Sequence, residues 1–282
     1  KEIPMSDNMR EPLWDFLVKN ALDIHQHAEI ANFCHEIGIE YLCTPFSLAA
    51  ASELESHISP AAYKIGSGEL LDHPTIESIS KFGKPMVFST GMATVEEIDE
   101  TYNFLSSLGI SFGLLSCTSG YPPLLTESNL GFQRRMPERY PKAIIGSSDH
   151  FPGLEVAIAS LALGARIIEK HVTDDPLDYG PDTNSSISFK QLGDLVRISR
   201  DMHQSLRMEK KVHASEQVIR SWAHRSLVFL GDFERGHVIT DQDIWGKRPG
   251  TGIPSRLRSK VVGKRLSTDV YKNSLVNWTH FE

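Results

Sequence analysis

Two histidines stand where the sequence predicts neighbouring strands to end. The apolar run 143–145 leads into a polar cluster that closes with His150, and the apolar pair 167–168 leads into a tripeptide that closes with His171. A helical segment rich in Ala and Leu, ending at Gly164, separates them. In a parallel β/α protein the ends of successive strands lie side by side on the face where active sites form.

Carboxylates accompany both imidazoles, and this combination indicates a divalent-metal site. Asp149 and Glu169 are direct neighbours of the two strand ends, and Asp182 follows in a Gly-Pro-Asp turn. Imidazole nitrogens and carboxylate oxygens are the usual ligands of such ions. A single histidine at a strand end is more often a hydrogen-bonded loop residue, so the metal hypothesis depends on the joint pattern of His150 and His171.

Other predicted strand ends carry groups suited to an anion. Lys64 lies inside an apolar strand, where a lysine needs a partner or an open cavity. Ser67 follows it between two glycines, and Ser89 and Ser119 occupy the next two strand ends. Lysine and hydroxyl groups beside glycines suit a phosphate or carboxylate. For the segment 66–68 alone, a plain tight turn is the alternative.

Composition excludes several classes of protein. The chain has 282 residues, 40% of them hydrophobic, and a formal charge of -7 without a dominant basic stripe, which argues against a nucleic-acid binder. The 3 cysteines form no CxxC pair, which favours a reduced, cytoplasmic setting. No apolar run has the length of a membrane span, and no signal-peptide core opens the sequence.

Short apolar runs alternate with helical segments along most of the chain, which predicts parallel βαβ units. The predicted strands contain residues 41–43, 63–65, 86–88, 114–115, 143–145 and 167–168. The predicted helices cover 11–37, 48–57, 74–82, 95–108, 134–140 and 189–206. Six units favour a TIM-type (β/α)8 barrel that lacks its first two βα units, and an open sheet is the alternative.

The character of the sequence changes after Leu206. Residues 209–221 are polar and are predicted to be a linker, and 222–282 are punctuated by Gly and Pro with weak helical periodicity. We therefore predict a barrel domain over 1–208 and a small β-rich domain over 222–282.

Six motifs, in order and at coherent spacing, resemble the sialic acid synthase family. They are KIGSGE (64–69), GKPMVFSTGM (83–92), CTSGYP (117–122), IIGSSDH (144–150), GARIIEKHVT (164–173) and GPD (180–182). The family includes N-acetylneuraminate synthases and the enzymes that make legionaminic, pseudaminic and spore-coat sugars. KRPGTGI (247–253) and VVGK (261–264) are similar to its antifreeze-like SAF domain, a β-clip fold.

The resemblance implies a carbon–carbon bond-forming transferase. Such enzymes condense phosphoenolpyruvate with an N-acetylated hexose such as N-acetylmannosamine, in some cases 6-phosphorylated, and release phosphate. By resemblance His150 and His171 hold a divalent ion, usually manganese, with magnesium or cobalt as alternatives, and this ion polarises the sugar aldehyde.

Further roles carry over position by position. Lys64, Ser67, Ser89 and Ser148 would hold phosphoenolpyruvate, Glu69 is a candidate for proton transfer, and Asp182 would lie close to the metal and the sugar. The remaining substrate-binding positions implied by the resemblance are Tyr121, Glu169, Ser119 (where the family has Asn or Ser) and Arg248. In the family, the SAF domain of one subunit inserts the arginine at the position of Arg248 into its partner's site, so a domain-swapped homodimer is expected.

The N-terminal part of the sequence departs from the family pattern. The family's first two βα units carry an EIGxNH-like strand and a later lysine at a strand end, and neither motif occurs here. The alternative function is therefore a catalytically silent homologue that binds sugar and metal without turnover.

Overall fold

A computed structural model describes residues 12–175 and 180–282 of the chain. It divides into two compact units, residues 1–208 and 209–282. The opening polar residues 1–11, including the predicted start of the first helix at Glu11, lie outside the described part.

The first unit alternates strands and helices. Its helices are α1 (Leu13–Asn20), α2 (Ile24–Glu36), α3 (Leu48–His57), α4 (His73–Ser80), α5 (Val95–Ser107), α6 (Leu130–Gln133), α7 (Met136–Arg139), α8 (Glu155–Ala162) and α9 (Phe189–Leu206). Its strands are β1 (Tyr63–Ile65), β2 (Met86–Ser89), β3 (Phe112–Cys117), β4 (Ile144–Asp149), β5 (Ile167–Lys170), β6 (Val172–Thr173) and β7 (Ile187–Ser188). The predicted helices 48–57 and 189–206 are α3 and α9.

Strands β1 to β5 form one parallel sheet in sequential order, which confirms the predicted α/β class and is the arrangement of about half of a (β/α)8 barrel. Successive side chains of a strand point to opposite faces of the sheet. We call the face that packs into the main hydrophobic core the outer face. Its buried side chains are Tyr63, Ile65, Met86, Phe88, Phe112, Leu114 and Ile145.

The structure has five strands in this sheet where the sequence predicts six. Residues 41–43 are extended but form no strand. A bond of 3.3 Å from the Lys64 N–H to the Cys43 carbonyl joins this segment to β1. A strand of a sheet makes a series of backbone hydrogen bonds to its neighbour, and this segment does not. Its apolar pattern nevertheless resembles that of the five strands.

The long helix predicted over 11–37 is wrong, because the chain forms α1 and α2 with a break between them. Asp23 is the reason for the restart. Its carboxylate accepts hydrogen bonds from the backbone N–H groups of His25 and Gln26, and the Gln26 side chain accepts from the Asp23 N–H. This capping box fixes a new helix start, which apolar periodicity alone does not reveal.

The helix predicted over 134–140 is present as the shorter helix α7. A second one-turn helix, α6, ends just before this range, and Pro137 lies in the first turn of α7. Proline has no N–H to donate and its ring clashes with the preceding turn, so it begins a helix more readily than it continues one.

The second unit has a small apolar core of its own. The elements of this unit are α10 (Ala214–Ala223), an antiparallel pair of strands formed by β8 (Ser226–Phe229) and β9 (Ile244–Lys247), and α11 (Arg258–Val261). Isolated bridges, such as Val228 with Leu275, extend the β structure. The segment 209–221, predicted as a linker, contains most of α10. No helix among the described residues of either unit is long and apolar enough to cross a membrane.

Candidate active site

The face of the sheet opposite to the core, here called the inner face, carries the polar side chains of the strands. The ladder aligns Cys117, Ser148 and Glu169 side by side on β3, β4 and β5. Lys64 and Ser89 project from the same face of β1 and β2, because the residues that alternate with them lie in the core of the outer face. Strand alternation therefore brings together side chains that are up to about a hundred residues apart in sequence.

A chain of contacts crosses the inner face from β1 to β4. The Lys64 Nζ lies 3.5 Å from Glu169 Oε2 and donates a 2.9 Å hydrogen bond to the Ile65 carbonyl. The Ser148 hydroxyl donates to Glu169 Oε1 at 2.6 Å. Lys64 and Ser148 are only 6% and 4% exposed. A buried ammonium thus has one carboxylate partner, at a distance longer than a direct hydrogen bond.

Ser89 has no such partner. Its residue is 2% exposed, and its Oγ has no hydrogen-bond partner in the described part of the chain. Leaving a hydroxyl buried and unpaired is costly, so such groups are usually completed by water or a ligand. The lysine and the unpaired hydroxyl on the same face form an environment suited to an anion.

Gly91 lets three polar side chains converge beside Ser89. Its N–H donates to Ser67 Oγ at 3.0 Å. A Cβ at this glycine would lie 2.1 Å from Ser119 Oγ, 2.8 Å from Ser67 Oγ and 3.2 Å from Cys117 Sγ. Because Ser67 already accepts from this N–H, its own hydroxyl proton is available to donate to an anion.

His150 is held in one tautomer. Its Nδ1 lies 2.8 Å from the Thr118 carbonyl, and a carbonyl can only accept, so Nδ1 carries the proton. In the neutral ring Nε2 is therefore left as a base or a metal ligand. A hydrogen bond from the ring nitrogen that does not bind the metal, such as this one from Nδ1, is the kind of contact that orients metal-binding histidines.

The rings of Tyr121, His150 and His171 form a cluster. Ring centroids are 5.2 Å apart between the histidines, and Tyr121 lies 4.2 Å from His150 and 5.9 Å from His171. Asp182 Oδ2 is 3.8 Å from His171 Nδ1. A cavity of about 230 Å³ opens here, lined by residues 148–150 and 169–171.

Cys117 is a site residue that the sequence reasoning missed. It is buried, and its Sγ lies 3.9 Å from His150 Nδ1 and 4.0 Å from Ser119 Oγ. The signal that could have found it is its position in CTSGYP, two residues before Ser119 on the same face of the chain. With only 3 scattered cysteines, the search for cysteine pairs gave it no weight.

The electrostatics of the cluster reflect this contact. Burial alone would lower the pKa of His150, but the interactions with Cys117 and the Thr118 carbonyl outweigh it and raise that pKa. Burial opposes ionisation of Cys117, yet its interactions with His150, Ser67 and Ser148 lower its pKa. Burial, together with nearby negative groups, raises the pKa of Tyr121 to about 12, so its hydroxyl is a hydrogen-bond donor at neutral pH.

The prediction that Asp149 belongs to the metal cluster is wrong. Its side chain lies on the outer face, where Oδ2 accepts a 3.0 Å bond from Lys170 Nζ and Oδ1 accepts from the Phe151 N–H at 2.8 Å. Both charged side chains are nearly fully buried, at 3% and 2% exposed. Alternation explains the error, because a residue adjacent to His150 in sequence must point to the opposite face.

Two other candidate residues make contacts within their own surroundings. The Glu69 carboxylate folds over Gly66, since a Cβ there would lie 2.6 Å from Glu69 Oε2. Arg248 belongs to the second unit, where its Nε donates to the Ala223 carbonyl at 3.2 Å and its guanidinium lies 5.3 Å from the centre of the Trp222 ring.

The donor set bears on the predicted metal ion. Among the described residues no group of three or more His, Cys, Asp or Glu side chains is arranged to hold a metal. His150 and His171 supply two neighbouring imidazoles, and the Nδ1 bond of His150 leaves its Nε2 available. These two imidazole nitrogens fit part of the coordination shell of a divalent ion, whose remaining ligands would be oxygens of water or substrate.

The fold and the inner face define a class: a parallel β/α protein whose strand ends form a polar site, suited to an anion, beside a histidine pair. Comparison with protein families matches residues 2–211 to the NeuB family and residues 224–282 to the SAF domain. The chain therefore belongs to the NeuB family and carries a SAF domain, as the sequence motifs predict.

Individual relatives agree with this assignment. The N,N'-diacetyllegionaminic acid synthase of Campylobacter jejuni is 33% identical over 258 residues, which are 90% of this chain and 76% of the relative. A crystal structure of a sialic acid synthetase from Leptospira borgpetersenii, in complex with citrate, is 26% identical with a TM-score of 0.68, covering 77% of each chain. A Chromobacterium violaceum spore coat polysaccharide biosynthesis protein shares the fold with a TM-score of 0.80 at 23% identity, over 98% of this chain and 83% of the other.

Proposed function

We propose that this protein condenses phosphoenolpyruvate with the open-chain form of an N-acetylated hexose to give a nonulosonic acid and phosphate. The observation that carries the proposal is the inner face itself, where a buried lysine and an unpartnered serine hydroxyl lie beside two histidines in a member of the NeuB family. The names of the relatives, a legionaminic acid synthase and a sialic acid synthetase, support the same reaction class.

In this proposal the anion site holds phosphoenolpyruvate. Lys64 supplies positive charge to its phosphate or carboxylate, and Ser67, Ser89 and Ser148 donate hydrogen bonds. Glu169 now accepts from Ser148 and faces Lys64, so an incoming anion would take over contacts that this carboxylate makes in its absence. Charge-assisted hydrogen bonds of this kind are stronger than neutral ones.

His150 and His171 would hold a divalent cation, which we propose to be manganese. When bound, such an ion polarises a carbonyl oxygen as a Lewis acid. The Thr118 carbonyl keeps the His150 ring oriented with Nε2 available. Tyr121 covers the ring of His150 and keeps water from that side, and Asp182 accompanies His171.

The reaction then joins C3 of phosphoenolpyruvate to the aldehyde carbon of the sugar. The aldehyde oxygen takes up a proton, and water adds to C2 with loss of a proton. The new C2 hydroxyl then gives its remaining proton to the departing phosphate as the bond between C2 and the phosphate oxygen breaks, which leaves the C2 ketone. Glu69, which stands at the rim over Gly66, is our candidate for proton transfer. Its carboxylate makes no side-chain hydrogen bond to another described residue, so it is free to reach a substrate.

Release of phosphate tests the proposal directly. The protein is incubated with phosphoenolpyruvate and each of a small panel of N-acetylated hexoses, with and without a 6-phosphate, in the presence of Mn²⁺. We expect phosphate and a keto acid with a nine-carbon backbone, seen by mass spectrometry, only when both substrates are present. Sugar binding with no phosphate release under any of these conditions would instead support the silent homologue, which no observation on this chain favours at present.

We also propose a homodimer in which Arg248 acts on the site of the other subunit. The guanidinium lies in a turn flanked by Gly and Pro, which suits a rigidly presented loop tip. The test mixes two inactive proteins, Arg248→Ala and His150→Ala. Recovery of activity is expected, since a mixed dimer would contain one site with both residues intact, whereas exchange of subunits without recovery would contradict the arrangement.

The three free thiols agree with a cytoplasmic setting.

A further inference from the structure

A closed set of contacts links the residues that flank the two histidines. Lys170 Nζ bonds to Asp149 Oδ2 at 3.0 Å and also donates to the Phe151 carbonyl. Asp149 Oδ1 accepts from the Phe151 N–H at 2.8 Å. The residue before His150 and the residue after it are thus both tied to the residue before His171.

These contacts begin where the sheet stops. Asp149 and Lys170 are the last aligned pair of the β4–β5 ladder, so His150 and His171 lie one residue beyond it. Backbone pairing therefore does not fix the separation of the two histidines. The side-chain contacts of Asp149 and Lys170 continue the connection on the outer face, directly behind the two rings.

We propose that Asp149 and Lys170 are positioning residues that set the spacing and orientation of the His150 and His171 rings. They act through the backbone of residues 149–151 and 170–171. The inference rests on the proposed function for the use that the histidines serve, but the spacing itself is a property of the protein without substrate.

Energetics support a positioning role over a stabilising one. Both side chains are nearly fully removed from water, at 3% and 2% exposed. Burial of two charges costs desolvation that their attraction does not reliably recover, so a buried ion pair is weak evidence for stability. Its directional contacts do restrict geometry, and groups behind metal-binding histidines commonly orient them.

The test variant is the double substitution Asp149→Asn with Lys170→Met. It removes both charges together and keeps side-chain volume, so that no single buried charge is left unpaired. The matched control is Glu55→Gln with Lys84→Met. That pair is also partly buried, with Nζ and Oε2 2.7 Å apart, but it lies at the other end of the strands, near Tyr63.

Two measurements are made on all three proteins. The first is the ¹⁵N and ¹H spectrum of the histidine rings without metal, which reports the tautomer and the environment of His150. The second is Mn²⁺ affinity by electron paramagnetic resonance, with the metal alone. We expect the test variant to shift the ring signals of His150 and His171 and to bind Mn²⁺ roughly 10- to 100-fold more weakly. The control should match wild type in both, even if its melting temperature falls.

Unchanged ring spectra in a folded test variant would overturn the inference, whatever the enzyme does. Equal losses of Mn²⁺ affinity in the test and control variants would also overturn it, because a general loss of stability would then be sufficient. If the wild type bound no Mn²⁺ and released no phosphate, the proposed function would fail, yet the metal-free ring spectra would still decide the positioning role.

Discussion

Two ion pairs on opposite faces of the same sheet differ in how firmly they are held. On the outer face, Lys170 and Asp149 are 3.0 Å apart and almost fully buried. On the inner face, Lys64 and Glu169 are 3.5 Å apart, and the Glu169 side chain is 40% exposed. The outer pair is completed by further contacts of both partners to Phe151, whereas the inner lysine has one backbone carbonyl besides its carboxylate.

The difference separates a structural pair from an exchangeable one. A buried pair with its other hydrogen bonds satisfied is expensive to break, because either charge alone is left without water. A looser pair beside a cavity can trade its carboxylate for a ligand anion at little cost. A lysine–carboxylate pair is therefore held firmly on the outer face and loosely on the inner face, where its geometry suits exchange with a ligand.

Breaking the outer pair should give the largest effect. Lys170→Met leaves the Asp149 carboxylate buried and unpaired, and we expect a loss of about 3–5 kcal/mol in the free energy of unfolding. Urea denaturation of both proteins measures it. A loss no greater than that of Lys64→Met would show that the two pairs do not differ in this way.

Breaking the inner pair should affect binding and leave the fold. Lys64→Met removes a charge-assisted contact worth about 1.5–3 kcal/mol, so kcat/KM for phosphoenolpyruvate should fall roughly 10- to 100-fold. The free energy of unfolding should change by no more than about 1 kcal/mol, since Glu169 can turn to solvent. Steady-state kinetics and urea denaturation are measured together, and wild-type kinetics in a folded variant would refute the assignment.

Gly91 sharpens the comparison by testing how tightly the inner face is packed. In Gly91→Ala the new Cβ would lie 2.1 Å from Ser119 Oγ, and we expect a cost of about 1–3 kcal/mol in phosphoenolpyruvate binding as the hydroxyls are displaced. Calorimetric titration measures it. Adding Ser119→Ala should restore part of the affinity, and no recovery would indicate that Ser119 is not the group displaced.

Breaking the surface pair of Arg139 and Asp99 should have the smallest effect on the free energy of unfolding, and this effect should depend on pH. The hydrogen bond from Arg139 lowers the pKa of Asp99, with Nε and Oδ1 2.7 Å apart. A carboxyl whose pKa is lower in the folded state stabilises the protein above its unfolded pKa and loses this effect as pH falls through the folded pKa.

Asp99→Asn should therefore cost about 0.2–1 kcal/mol at neutral pH, since solvent and salt screen an exposed pair. The difference from wild type in urea denaturation should stay constant above the unfolded pKa of Asp and vanish in more acidic solution. A difference that persists unchanged in acid would mean that the charge of Asp99 is not its source.

Much of the fold follows from local sequence patterns. The apolar runs that contain Met86 and Leu114 predict strands, and the helices that begin at Leu48 and Phe189 start after serines that cap them. The pattern fails where one residue changes local geometry. Asp23 restarts a helix and Pro137 lies at the start of a short one, and neither effect depends on periodicity.

The candidate site can be predicted from the polar residues at the strand ends. The face of the sheet on which each of these side chains lies cannot be predicted in this way. Lys64 is predicted as a lysine inside an apolar strand, Ser89 as a polar residue at a strand end, and Ser148 through the family resemblance. Asp149 was placed with the histidines because sequence adjacency hides the alternation that turns it away. Cys117 escaped because its contact with His150 joins residues 33 positions apart, which only the β3–β4 register brings together.

Alternation along β4 and β5 has a consequence for how this region can change during evolution. Ser148 and His150 serve one side and Asp149 the other, and Glu169, Lys170 and His171 repeat the pattern on the next strand. Deleting a single residue within 147–150 would exchange the two sides, turning the buried Asp149 carboxylate toward the cavity and the Ser148 hydroxyl toward the apolar interior. A substitution within 147–150 keeps this alternation, whereas an insertion or deletion there would reverse it.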